Sequence, residues 1–246
     1  MGSLGNYERR LRIGLVPFFL VLLLWLVFWF EVRMGFNFNN WGIYPRNLIG
    51  LRGIITGVFI HGSASHLYQN SVPLAVLLFL FFYFFPKRAW QVLVLGWILS
   101  GFLTWIIGRG SYHIGASGII YYLASFIFFS GVISRYYKRM ALSLVVVFLY
   151  GGMVWYVFPV KEQISWEGHL SGTLCGLALA WLTPNLRPLE KQFDWQDANY
   201  DTEADPFMKH FDREGNFISE SEMDATLLRD RENVEEEMDE YPDNAV

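Results

Sequence analysis

Ser117 lies in Tyr112-His113-Ile114-Gly115-Ala116-Ser117-Gly118-Ile119-Ile120-Tyr121, a turn of small residues at the mouth of a long apolar run. A serine hydroxyl is a poor nucleophile alone, so this position can do acyl-transfer chemistry only if a base and oxyanion donors reach it. His169 opens Gly168-His169-Leu170-Ser171-Gly172-Thr173-Leu174-Cys175-Gly176 and can accept the Ser117 proton. His66 and Asn70 share a helix face at i, i+4 and can donate to an oxyanion together with the Ser117 backbone N–H. Tyr121 stands one turn below Ser117, where it can pack against the His169 ring, and His61 reads as a structural hydrogen bonder in the loop before His66. A second reading of Gly115, Ala116, Ser117 and Gly118 is that they only let one helix pack closely on another, as small residues do in membranes. Glycines at 168, 172 and 176 form such a small-residue face on the His169 segment.

Other hydrolytic chemistries fail on residue type. The first aspartate in the chain is Asp194, so no Ser-His-Asp triad can form before it, and Glu167, two residues from His169, points to another helix face. There is no H-E-x-x-H zinc motif, and Gly115-x-Ser117 lacks the following glycine of the hydrolase elbow, Ile119 standing there. One cysteine, Cys175, excludes an intrachain disulfide framework. No metal and no cofactor are expected.

The elements that must position these residues are membrane spans. Hydrophobic residues make up 53% of the 246-residue chain and aromatics 18%, which is not the composition of a water-soluble domain. Apolar runs at 13–30, 66–85, 92–107, 114–133, 141–158 and 169–182 give six spans, the first retained rather than cleaved because Trp29-Phe30 runs into Glu31 with no small-residue cleavage site. Residues 31–60 are too broken to span and form a long outer loop. Residues 1–193 hold 15 Lys/Arg against 5 Asp/Glu, whereas 194–246 hold 4 against 18. The expected organisation is a cytoplasmic N-terminal segment at 1–12, a six-helix core at 13–183 and an acidic, mostly disordered cytoplasmic tail at 184–246. Ten of the basic residues fall on one side of this topology and five on the other, which puts both termini in the cytoplasm.

Spans two, four and six then all begin at the outer face. His66, Ser117 and His169 lie in their first turns, Ser117 and His169 each three residues and hence ~5 Å below the starting level at 1.5 Å per residue. Polar groups inside spans are costly, and three converging at one depth point to a site.

These residues resemble the rhomboid intramembrane serine proteases. His61-x4-His66-x3-Asn70, Gly115-x-Ser117-Gly118 with Tyr121, and His169-x2-Gly172-x3-Gly176 match the family pattern in order, span and spacing over roughly residues 10–183. The resemblance implies an all-α, six-transmembrane-helix bundle with Ser117 as nucleophile, His169 as base and His66 with Asn70 as oxyanion donors. It implies cleavage of transmembrane protein substrates near the outer membrane face by a multi-pass protein, without cofactor; no nucleic-acid partner is expected, and the compactness of the chain alone favours a bacterial cytoplasmic membrane. Leu51-Arg52 departs from the Trp-Arg common in the family's first loop. Two rivals are an inactive rhomboid-like protein that binds membrane clients, in which the serine or histidine should be missing, and a channel or transporter, whose polar residues should line a path rather than share a depth.

A cysteine introduced into the tail should resist membrane-impermeant thiol reagents in intact cells and react after permeabilisation. Labelling from outside would overturn the orientation.

Overall fold

The computed structural model describes residues 2–86, 88–134 and 136–183, with side chains from residue 13, and in the C-terminal segment 201, 205, 207–212, 214–226 and 228–229. Two compact units divide at Leu189/Glu190. Among the described residues the first unit is helical: α1 (Gly2–Met34), the short α2 (Gly53–Thr56), α3 (Ala64–Phe84), α4 (Ala89–Ile107), α5 (Ser117–Ser134), α6 (Tyr137–Tyr150) and α7 (Trp166–Leu182). Five of these stretches are long and apolar enough to cross a membrane: 13–34, 64–84, 89–107, 117–134, and α6 continued by its 3-10 extension Gly151–Val157. The last helix, α7, has 17 residues. At 1.5 Å per residue it is about 25 Å long, at the lower limit for a hydrocarbon core of ~30 Å. The chain is therefore an all-α, multi-pass membrane protein.

The boundaries differ from the apolar runs in two places that matter. The first helix extends from Gly2 to Met34, well beyond 13–30, because nothing in its flanks breaks a helix. The fourth span starts at Ser117 and not at Ile114: Gly115 has φ +103°, outside the helical region, so the apolar Ile114 belongs to the approach. Ser117 is thus at the end of its helix rather than a turn inside it. The helices carrying the other site residues begin at serine caps, Ser63 accepting from His66 N–H (3.1 Å) and Ser165 from Gly168 N–H (3.3 Å).

α5 is the most enclosed span, and α7 is its most extensively packed neighbour. A Cβ on Gly172 would lie 2.3 Å from the Gly118 carbonyl oxygen, and one on Gly176 2.6 Å from that of Tyr122, so the two backbones touch. On the other side of α5 the Tyr122 ring lies against Gly96 of α4 and its hydroxyl donates to the Val92 carbonyl (2.8 Å). Phe81, Phe85 and Phe126 complete the buried centre at edge-to-face or offset contacts of 5.1–5.7 Å. By contrast α1 leans mainly on α3, where Trp25 Nε1 donates to Ser71 Oγ (3.0 Å).

The loop at 35–60 is held by arginines. Arg46 donates to the carbonyls of Ile106 and Gly108 (3.0 and 2.8 Å), and Arg52 donates to that of Asn40 (3.0 Å). The Arg52 guanidinium stacks over Trp41 at 4.7 Å, so the aromatic partner that Leu51 does not provide comes from ten residues earlier in the same loop.

In the second unit a 3-10 turn (Met208–His210) leads to an isolated Phe211–Phe217 bridge, within which Asp212 accepts from Asn216 N–H (2.7 Å). Ser219 then donates both its N–H and its hydroxyl to Glu222 Oε2 (2.8 Å each) at the start of a helical stretch at 220–226, the glutamate half of a capping box. The rest of the expected tail, including Glu235–Glu240, lies outside the described residues.

Because Gly172 faces backbone rather than a movable side chain, Gly172→Ala should destabilise the protein in detergent by about 1–3 kcal/mol, the usual cost of overpacking. Gly152→Ala, with no atom within 4 Å of the added methyl, should leave the melting temperature unchanged. Equal melting temperatures for the two variants would contradict the close α5–α7 contact.

Candidate active site

The sequence places Ser117 and His169 52 residues apart, and the α5–α7 contact brings them together. Ser117 Oγ is 3.0 Å from His169 Nε2. The other ring nitrogen, Nδ1, is 2.8 Å from the Tyr156 carbonyl. A carbonyl can only accept, so Nδ1 carries the proton, and neutral His169 presents a bare Nε2 to the Ser117 hydroxyl. That is the tautomer a general base requires.

Tyr121 lies flat on the imidazole, ring centroids 4.0 Å apart and planes 8° from parallel, and its hydroxyl donates to the Met153 carbonyl (2.7 Å). Both anchoring carbonyls belong to the 3-10 segment Gly151–Val157. The base is therefore clamped on one side by α5 and on the other by main-chain atoms, with Thr173 Oγ1 donating to the His169 carbonyl one turn on (2.9 Å).

Opposite His169 the Gly115 turn meets α3. A Cβ on Gly115 would stand 2.8 Å from His66 Cε1, 2.9 Å from His66 Nε2 and 3.7 Å from Asn70 Nδ2, so only glycine lets this turn close on both residues. Asn70 is buried and spends one amide hydrogen on the His66 carbonyl (3.0 Å), leaving the other for a ligand. Ser117 and Gly118, as the first residues of α5, have amide hydrogens without intrahelical acceptors, and the helix dipole there favours negative charge. His66 and Asn70 thus close on the Gly115 turn that leads into Ser117, whose own amide has no intrahelical acceptor, an arrangement suited to an oxyanion.

The turn itself is fixed from behind. Gly115 N–H donates to the Gly57 carbonyl (2.8 Å), His113 and Ile43 exchange both backbone hydrogen bonds (2.9 Å each), and Ala116 N–H points at His61 Nε2 (3.4 Å). His61 is buried and its ring lies tilted by 60° against that of His66, centroids 5.0 Å apart. Burial pushes its pKa down to about 4, the nearby His66 adding to the shift and a backbone contact at Phe59 opposing it. Gly118, Gly172 and Gly176 have their part in the α5–α7 contact, Gly118 through its carbonyl.

Beside Ser117 a cavity of about 40 Å³ is lined by Ser100, Thr104, His113, Ser117, Gly118 and Ser165 among others. Its walls are mainly apolar, Ile43, Ile54, Val58 and Trp97 among them, with the hydroxyls set into one part of the lining, and it exceeds the ~10–15 Å³ that one water centre needs. Among the described residues no group of three or more His, Cys, Asp or Glu converges as metal ligands do.

All ten residues selected from the sequence lie at this site or at the helix contact that forms it. Missed were the main-chain acceptors at Met153 and Tyr156, and a polar cluster of Arg109, His113, Ser165 and Glu167 behind the site. Glu167 does face away from His169, as its spacing requires. It turns instead toward Arg109, its only ion-pair partner among the described residues.

A family model for the Rhomboid domain matches residues 49–185, more than half of the chain. The chain belongs to the rhomboid family. Rhomboids are in general intramembrane serine proteases, so this is such a protease or a homologue of one. The rhomboid match takes in all ten residues selected from the sequence. An uncharacterized protein of Mycobacterium tuberculosis (strain ATCC 25618 / H37Rv) is 38% identical over 172 residues, covering 66% of this chain and 71% of its own. One from Mycobacterium bovis has the same identity and coverage. Another from Mycobacterium leprae is 33% identical over 187 residues, covering 71% and 74%.

His61 takes up a proton near pH 4 in the fold and near 6.5 when unfolded. The stability that its neutral form provides is complete above pH 6.5 and falls progressively as the pH drops toward 4. Melting temperatures in detergent should decline over that window, and His61→Gln, which keeps an acceptor for Ala116 N–H, should flatten the decline. An unchanged slope in the variant would remove His61 as its source.

Proposed function

We propose that this rhomboid is an active intramembrane serine endopeptidase using a Ser117–His169 dyad. The observation that supports it most is the 3.0 Å contact between Ser117 Oγ and a His169 Nε2 left unprotonated by the Tyr156 carbonyl. His169 accepts the hydroxyl proton as Ser117 Oγ attacks the scissile carbonyl carbon. The resulting oxyanion is stabilised by the Ser117 N–H, His66 and Asn70. Collapse breaks the C–N bond, the leaving amine takes the proton from His169, and an ester on Ser117 remains. A water then gives its proton to His169 and attacks the ester, releasing the acid and restoring the hydroxyl. The cavity beside Ser117, with Ser100, Thr104 and Ser165 hydroxyls in its wall, offers room for that water.

No side-chain acid is needed behind the base. The Tyr156 carbonyl does what the aspartate of a triad does for orientation, while supplying a dipole instead of a full charge.

The substrates on this reading are transmembrane protein segments with small residues at the cut and a helix that opens easily near the outer face. An intact helix keeps its carbonyls in internal hydrogen bonds, so the backbone must unwind before Ser117 can attack. The site's position at the starts of α3, α5 and α7 and the bias of basic residues to the opposite edge favour cleavage at the outer face of a bacterial cytoplasmic membrane, with both termini inside.

Purified protein should cleave a transmembrane reporter, and a fluorophosphonate should attach covalently at Ser117. Ser117→Ala should abolish both, and His169→Ala should reduce turnover to near background. Asn70→Ala should fall between, since loss of one oxyanion donor costs ~10² to 10³ in rate. Full activity in folded Ser117→Ala would end the serine-protease reading, and binding of clients without cleavage by the unsubstituted protein would favour an inactive homologue.

A further inference from the structure

A second polar cluster ties together the same two chain segments that carry Ser117 and His169, from behind the site. Arg109 N–H donates to Glu167 Oε1 (3.1 Å), and Arg109 Nε lies 3.6 Å from the same oxygen. Arg109 Nη2 donates to the carbonyls of Glu162 and Ile164 (2.7 Å each). His113 Nε2 faces the Arg109 carbonyl at 3.2 Å, so that nitrogen carries the proton, and Nδ1 accepts from the Ser165 hydroxyl at 2.5 Å. Ser165 Oγ in turn accepts from Gly168 N–H, the residue before His169.

None of these groups is bonded to Ser117 Oγ or to the His169 ring, although His113 and Ser165 also border the cavity beside Ser117. Their chain positions are what matter: Arg109 and His113 stand eight and four residues before Ser117, and Ser165 and Glu167 four and two before His169. Glu167 is 1% exposed and its Oε2 has no hydrogen-bond partner. A carboxylate so buried depends on its partner, and breaking such a pair leaves an uncompensated charge. The Arg109 side chain is 38% exposed, so what separates this pair from a surface one is the buried carboxylate.

We propose that Arg109, His113, Ser165 and Glu167 are positioning residues that lock the start of α7 to the 108–116 connection and thereby hold His169 in register with Ser117. The proposal rests on the dyad reading above. The glycine contact at Gly172 fixes α7 one turn below His169, and the lock fixes it one turn above. With only the lower contact, α7 can tilt about Gly172. A displacement of ~1 Å at the base is enough to cost on the order of 10²-fold in rate.

The test uses the full chain in detergent and reads two quantities per folded molecule: the rate of fluorophosphonate attachment to Ser117, and kcat and KM on a transmembrane reporter. Glu167→Ala and Ser165→Ala should each slow labelling and lower kcat about 10-fold or more, with KM within about twofold of the unsubstituted value. Glu167→Gln keeps an acceptor for Arg109 N–H and Ser165→Thr keeps the hydroxyl, so both should recover most of the rate. A purely structural role would lower yield and melting temperature but leave the labelling rate of the folded fraction unchanged, and that result in Ser165→Ala or Glu167→Ala would overturn the lock. If Glu167→Ala does not fold, Ser165→Ala and its threonine rescue carry the same test. Failure of the unsubstituted protein to label would remove the dyad reading and this proposal with it, whereas normal labelling with unaffected variants strikes the lock alone.

Discussion

The contact between the backbones of α5 and α7 is the constraint on which the site depends. Ser117 and His169 meet at 3.0 Å across two helices that come closer than ordinary side chains allow. Gly172 and Gly176 remove the side chains that would keep them apart, and the Gly118 and Tyr122 carbonyls occupy the freed space. Everything else near Ser117 adjusts to that distance. Tyr121 fits flat on the imidazole because it projects from the same face of α5 as Ser117 one turn on, and Gly115 bends the approach so that α3 can close on the other side of Ser117.

In a membrane the polar groups of such a site need partners, since each unpaired one is costly in a low-dielectric medium. Here those partners are largely main chain. His169 is satisfied by the Tyr156 carbonyl, Tyr121 by that of Met153, and Ser125 by that of Thr173, while the Ser143 hydroxyl donates to Phe128 and Arg139 carbonyls further down. The short 3-10 segment after α6 is where helical hydrogen bonding lapses and carbonyls become free to face the site.

Much of this was legible in the sequence because it is periodic or adjacent. The apolar runs gave the spans, the i, i+4 pairs His66/Asn70 and Ser117/Tyr121 gave shared faces, and the common depth of three polar residues gave convergence. The start of α5 was misplaced by three residues because Ile114 is apolar and hydropathy cannot see a backbone turn at Gly115. The Met153 and Tyr156 carbonyls could not be read at all, since every residue has one. Arg109 and Glu167 are 58 residues apart, and single-sequence reading treats each as an isolated charge. Trp41 similarly reaches Arg52 through the folding of a loop that has no period.

The way His169 is held also decides what genetics can see of it. A scan that replaces side chains one at a time leaves the carbonyls of 153 and 156 in place whatever residue is installed, so a map of tolerated substitutions would show those positions as permissive although their atoms hold Tyr121 and the His169 ring. The segment can change in sequence and keep those two acceptors. Lineages could therefore diverge where the contact to the imidazole is most direct, and only backbone chemistry, such as an ester in place of an amide at that peptide, would reveal the dependence.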